Sequence, residues 1–322
     1  MTALTTSRIV AQAAALHFLV DGMCLCCLYL MAAGAGGANL TVLFLTYNVL
    51  AFVTQPLSGM LADGASECQR PLLASAAFLS IASVAAASLA LNGYPPMGVY
   101  AVAVMLGMGN LLFHTWGGRM VARITANDTR ALGIFVATGA VGLTVGIVGC
   151  SWMLLAIMLA VMAVLTYSAL QHAPQVQAAS LREVPARPAA EVSLQWIILL
   201  ALMLYVMFRS LMGEAMGSHI VKSHPMMLAL ATTAATGKVM GGWMARHGRK
   251  WMLLLAATAG AIICLLLSGS NLAIVLAGVF LVNCTMPVTL YWANASLPGR
   301  EGLAFGLLAA ALVPGYLLAY LL

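Results

Sequence analysis

Apolar runs long enough to cross a bilayer follow one another along the whole of this 322-residue chain, separated by short polar breaks. A membrane-crossing helix needs about 20 such residues. Runs of that length are predicted at 8–33, 39–62, 71–92, 96–121, 130–149, 152–170, 194–216, 226–246, 250–268, 271–295 and 302–321. In hydrocarbon every backbone N–H and C=O must be bonded inside the protein, so runs of this kind can only be helices. The sequence thus predicts an all-α polytopic membrane protein with about eleven transmembrane helices. Only 7% of the residues are charged and the mean hydropathy is +1.02, whereas a soluble domain carries about 25% charge. The first run is long, contains Asp21 and has no clear small-residue cleavage site, so it is read as a helix that stays rather than a signal peptide.

The few charges orient the chain. If the helices alternate in direction, Arg8, Arg70, Arg119, Arg123, Arg130, Arg182, Arg187, Arg246, Arg249, Lys250 and Arg300 all fall on one side, and Lys222 is the exception. Basic loops stay on the cytoplasmic side. This places the N-terminus in the cytoplasm of a bacterial-type inner membrane, and an odd number of spans carries Leu322 to the other face. The net charge of +6 reflects these loops and gives no reason to expect nucleic acid. The one long polar stretch, 171–193, holds Pro174, Pro185 and Pro188 and reads as a cytoplasmic linker. It divides an N-terminal six-helix bundle, 1–170, from a C-terminal five-helix bundle, 194–322.

The two halves echo each other. The second run ends in Gly59-Met60-Leu61-Ala62-Asp63, with Arg70 beyond it. The second run of the other half ends in Gly242-Trp243-Met244-Ala245-Arg246-His247-Gly248-Arg249-Lys250. Parallel repeats of this kind are a plan used by secondary transporters.

These two loops resemble the Gly-x-x-x-Asp-x-x-Gly-Arg-Lys signature of the major facilitator superfamily, each copy keeping a different half of it. The N-terminal half is similar to the fosmidomycin-resistance type of that superfamily. The matching pieces are His17-Phe18-Leu19 with Asp21, Leu45-Thr46-Tyr47 with Gln55-Pro56-Leu57-Ser58-Gly59, and Gly107-Met108-Gly109 with Phe113-His114 and Arg119-Met120-Val121-Ala122-Arg123. The resemblance implies a two-bundle fold, a small-solute substrate and alternating access. Relatives carry Pro-Glu after the helix-four histidine, where this chain has Thr115-Trp116. They also have twelve spans, so the twelfth is missing here, and lipid is expected to cover the groove it leaves.

His17 and Asp21 are four residues apart in the middle of the first run, so on a helix they share a face. An intramembrane carboxylate is costly and turns towards a bundle interior or a water-filled cavity. The pair either stitches helices together or binds a coupling proton or cation. His114 is a packing histidine, or a gate, proton or cavity residue. Arg209 and Glu214 in the seventh run either meet an anionic substrate and a proton or snorkel to the outer interface. Lys238 should face the cavity or pair with an acid, and Asn283 sits beside a proline kink at Pro287. Asp63 with Arg119 or Arg123 would form a cytoplasmic gate.

The cluster Met23, Cys24, Cys26, Cys27 raises a soft-metal reading, since thiolate and thioether suit Cu(I) and zinc. However, Cys24 and Cys26 point to different helix faces. No Gly-x-x-x-x-Gly-Lys-Ser/Thr, Gly-x-Ser-x-Gly or His-Glu-x-x-His motif occurs, which argues against ATP-driven transport and enzymatic chemistry. The reading is therefore a monomeric, proton-coupled secondary transporter with no cofactor. A non-transporting sensor or assembly subunit reusing the fold is the alternative, and a soft-metal transporter is the minor one.

Overall fold

The computed structural model describes residues 3–36, 38–65, 69–172, 189–218, 220–269, 271–319 and 321. Among them eleven helical spans run in chain order: α1 (Ala3–Gly34), α2 (Leu40–Gly64), α3 (Arg70–Asn92), α4 (Pro96–Ile124), α5 (Thr129–Val148), α6 (Trp152–Gln171), α7 (Ala189–Ser218), α8 (His224–His247), α9 (Lys250–Ser268), α10 (Leu272–Ser296) and α11 (Glu301–Ala319). No strand is present among the described residues. Ten of the spans are long and apolar enough to cross a membrane. The exception is α8, which has the length but holds Lys238 and a row of threonines and glycines. The expected linker 171–193 falls largely outside the described residues, as does Cys68.

Polar residues just before the helices explain where several begin. The side chains of Asn39, Ser151 and Asn271 accept hydrogen bonds from the otherwise unpaired N–H groups of the first turns of α2, α6 and α10. Asp128 caps α5 in the same way. The weakest sequence boundary, near Cys150, is a real break: α5 ends at Val148 and Ser151 caps α6.

Three spans are interrupted at mid-length, each shortly before a proline. In α2 a π-helical turn, Val49–Val53, precedes Pro56. The α10 span breaks at Thr285 before Pro287, and α11 breaks at Ala311 before Pro314. Proline removes one ladder hydrogen bond and its ring collides with the carbonyl four residues back, so the helix must deform there. At the α10 break, Thr285 donates to the Val282 carbonyl at 2.7 Å and Asn283 to the Val279 carbonyl at 2.8 Å.

Glycines set the closest helix contacts. Along α5, Gly142 lies against the backbone of Phe18 and Gly146 against that of Gly22, so a β-carbon at either would strike α1. In hydrocarbon there is no hydrophobic gain from burying one apolar helix against another, so close backbone approach through small residues carries the packing. At the base-rich end of the molecule, Gly59 of α2 meets the Gly302 backbone of α11, and Gly242 of α8 meets the Thr129 backbone of α5. Thr129 also donates to the Gly242 carbonyl at 2.9 Å. The first six helices and the last five thus touch through α2–α11 and α5–α8. A continuous core with fully buried Phe113, Phe135, Leu16, Met23 and Leu28 fills the first group. Val164, Tyr167 and Leu266 stand exposed on the outside, as side chains facing acyl chains should.

The α1–α5 contact is the one a single added side chain should break. Gly146→Leu forces the two backbones apart and is expected to lower stability by about 1–3 kcal/mol. Gly213→Ala, where a β-carbon meets nothing, should leave stability unchanged or raise it slightly. Thermal melting of the detergent-solubilised protein, read as loss of the monodisperse size-exclusion peak, compares the two.

Candidate functional site

The α1–α5 approach creates the space for a buried polar cluster. His17 and Asp21 project from mid-α1, one turn apart, and their side chains lie beside Gly139 of α5, where a β-carbon would collide with both. From α4, His114 and Asn110 are also one turn apart and reach the same point. His17 Nε2 is 3.3 Å from an Asp21 oxygen and 2.9 Å from His114 Nε2. His114 Nε2 is 3.7 Å from the other Asp21 oxygen, to which Asn110 Nδ2 donates at 2.9 Å. His17, Asp21 and His114 are 5%, 7% and 5% exposed.

The far side of each imidazole fixes its tautomer. His17 Nδ1 is 2.8 Å from the Phe135 carbonyl, and His114 Nδ1 is 3.0 Å from the Asn110 carbonyl. A carbonyl oxygen can only accept, so both Nδ1 atoms carry the proton. Both Nε2 atoms then present lone pairs to each other at 2.9 Å, next to a carboxylate. Such an arrangement is repulsive unless a positive charge is held there.

Aromatic rings close round the cluster. Phe113 and Phe135 stand against the His17 ring, and Phe52 and Phe305 against His114, with centroids 4.6–6.4 Å apart. Phe305 comes from α11, seated over Gly118, and so it is the second group of helices that covers this face of the site.

A second polar set lies at the base-rich end. Asp63, at the end of α2, accepts from the backbone N–H groups of Gly302 and Leu303 at 3.0 and 2.8 Å. It therefore caps α11, a helix from the other half, whose first N–H groups have no partner within their own helix. Arg119 Nε lies 3.2 Å and Arg123 Nη2 3.6 Å from the same carboxylate. Arg123 also bonds Glu301 at 2.7 Å and the Gly299 carbonyl at 2.7 Å. Beside this set, Asn294 donates to Asn127 at 3.0 Å and Asn127 to the Tyr291 carbonyl at 2.8 Å.

The remaining sequence candidates are dispersed. Lys238 crosses from α8 to donate to the Val136 carbonyl of α5 at 3.2 Å, one residue along from the carbonyl that holds His17. Arg209 is buried, and its Nη1 has no hydrogen-bond partner among the described residues. Glu214 stands by Lys222 at 3.8 Å near the end of α7. Asn283 is taken up by the local bond at the α10 break. The cysteines do not converge: among the described residues, His17, Asp21 and His114 are the one group of three or more His, Cys, Asp or Glu side chains close enough to share a metal ion. A cavity of about 660 Å³ opens between α2, α3 and α4, lined mostly by apolar side chains such as Leu50, Leu57 and Met108, and it does not include the triad.

Sequence reasoning missed Asn110, Phe305 and Glu301. Asn110 had a readable signal, because it lies four residues before His114 on the same helix face. The other two owe their place to contacts across the halves.

The architecture has clear counterparts. The Escherichia coli fucose:proton symporter FucP superposes over 96% of this chain and 89% of its own, with TM-score 0.63 at 14% identity. The human organic anion transporter MFSD10 covers 97% and 92%, with TM-score 0.62 at 15% identity. FucP in the outward conformation, described as a major facilitator superfamily transporter, gives 0.59 at 14% identity, over 96% and 89%. The chain has the major facilitator fold. Its ten long apolar helices suit an integral membrane protein. No protein-family profile matches the sequence, and neither does any curated protein.

The base-rich contact set makes a specific expectation. Replacing Asp63 by Arg removes the α11 cap and sets three cations together. A coupling of about 1–3 kcal/mol, or 5- to 150-fold in population, should shift towards the form open at this end. Alkylation of single cysteines introduced near Thr115 and Trp116 should accelerate accordingly. An unchanged rate would show that the contact holds no conformation.

Proposed function

We propose that this chain is a secondary active transporter that moves a small solute by alternating access, coupled to protons at His17, Asp21 and His114. The observation that carries the reading is the 2.9 Å approach of two imidazole Nε2 atoms whose Nδ1 protons are both committed to carbonyls. One proton between the two rings, beside the Asp21 carboxylate, leaves the cluster neutral overall and satisfied in a buried site. Loss of that proton leaves a net negative, mutually repelling group. Binding and release of the proton therefore alter the packing of α1 against α4 and α5, which is what coupling requires.

The resemblance in sequence to the fosmidomycin-resistance type supports this assignment of the first half, and the fold likeness to a proton symporter is consistent with it. The bundles 1–170 and 194–322 rock about the glycine contacts of α2–α11 and α5–α8. Asp63, Arg119, Arg123 and Glu301 form the gate. With the base-rich end in the cytoplasm of a bacterial-type inner membrane, the closed gate marks the outward-facing form. His114, Lys238 and Arg209 are placed to border the path, while Glu214 and Asn283 stand at its margin. The working unit is a single chain surrounded by lipid.

Reconstituted protein tests this. A panel of radiolabelled small solutes in proteoliposomes should show one whose flux follows an imposed pH gradient. Asp21→Asn keeps the size of the side chain and removes its charge. It should abolish the pH-gradient dependence by at least tenfold while solute binding persists. A gradient dependence equal to that of the native protein in Asp21→Asn would exclude the triad as the coupling site.

A further inference from the structure

The atoms that meet at the triad are a donor set, and their spacing is informative. A tetrahedral metal site with bonds of about 2.0–2.1 Å places its ligand atoms about 3.3 Å apart. One ligand atom from each of the three residues lies within 4.8 Å of the others, with His17 Nε2 2.9 Å from His114 Nε2 and 3.3 Å from one Asp21 oxygen. Two imidazoles with one carboxylate suit zinc, iron or nickel rather than calcium or magnesium, which take oxygen ligands. The outer shell fits as well. Each histidine donates its Nδ1–H to a backbone carbonyl, the arrangement that turns Nε2 inward and fixes it as the ligand atom. Asn110 orients the carboxylate, and the phenylalanines supply the apolar surround.

The cluster is also held firmly in place. Asn110 is fully buried and donates Nδ2 to one Asp21 oxygen at 2.9 Å. Gly139 lets His17 Nε2 and the other Asp21 oxygen come so near α5 that any β-carbon there would collide with both.

We propose that His17 Nε2, His114 Nε2 and the Asp21 carboxylate bind a divalent transition-metal ion, with the fourth position left open as in three-ligand zinc sites. The inference rests on the triad being the coupling site: the metal and the proton compete for the same lone pairs, so the ion takes the place of the coupling proton. It moves the metal reading away from the cysteines.

Cobalt(II) titration of the full-length protein in detergent tests it. At pH 7.5 one Co²⁺ per chain should bind, giving the strong visible absorption of a four-coordinate site. Affinity should fall at least tenfold at pH 5.5, because the imidazole lone pairs must be free of protons. His114→Gln should lose the absorption. His114→Cys, made in a background with all seven native cysteines replaced by serine and eluting as the native monodisperse peak, should instead add a thiolate-to-cobalt charge-transfer band, which can then come only from position 114. Serine at Cys24, Cys26 and Cys27 together should change nothing. The proposal is overturned if the folded native protein binds neither Co²⁺ nor Zn²⁺ at pH 7.5, or if the spectrum follows the cysteines. A protein that binds no metal but whose proton-driven flux is lost in Asp21→Asn keeps the coupling site and loses this inference. One that binds Co²⁺ while its flux ignores Asp21→Asn loses the coupling reading.

Discussion

The contact on which the most depends is one where side chains are missing. Gly139, Gly142 and Gly146 occupy one face of α5, and α1 lies against that face at backbone distance. Three consequences follow from the same approach. The Phe135 carbonyl comes within reach of His17 Nδ1, the His17 and Asp21 side chains gain room beside Gly139, and α4 can close over them with His114 and Asn110. Larger residues on that face would remove the packing and the chemistry together. The small-residue row of α5 is thus both a packing surface and what shapes the polar site.

The joint between the halves is built differently. It combines glycine contacts with charges shared across the boundary, and each half supplies what the other lacks. The second half brings a helix with unmet N–H groups and the first half brings Asp63. Arg123 then ties the carboxylates of both sides. Asp63, more than nine-tenths shielded and bonded to two backbone N–H groups, makes this set unlike the weak surface pairs of soluble proteins. Phe305 links this joint to the triad, since it is carried by the helix that Asp63 caps and lies against His114. The end contact and the buried cluster thus share one helix.

Much of this was legible in the sequence because membrane physics leaves few options. Length and apolarity located the spans, including the narrow break near Cys150. The four-residue spacing of His17 and Asp21 put them on one face, and Asp63 with Arg119 and Arg123 could be paired from their common end of two helices. The third member of the triad was harder to read. His114 is 97 residues from His17, and nothing in the local pattern gives the rotation of α4 about its axis. Glu301 and Phe305 depend on how the second half docks, which pattern and periodicity do not encode. Lys238 was expected to meet a cavity or an acid, and instead meets a carbonyl, because α8 comes so close to α5 that backbone is its nearest partner. The sulfur-rich stretch of α1 was misleading for the reason that neighbouring residues on a helix diverge by about 100°.

The interruptions before Pro56, Pro287 and Pro314 give the assembly an unusual mechanical character. Two of the three lie in α2 and α11, the pair that faces itself across the boundary between the halves. A continuous helix transmits a tilt at one end to the other like a rod, whereas these two are jointed near mid-depth. The segment holding Gly59 and Asp63 can swing against Gly302 and Phe305 while the remainder of each helix keeps its place in its own bundle. In the alternating access proposed for this chain, opening on one side and closing on the other would then be separate movements, with a state sealed at both ends between them.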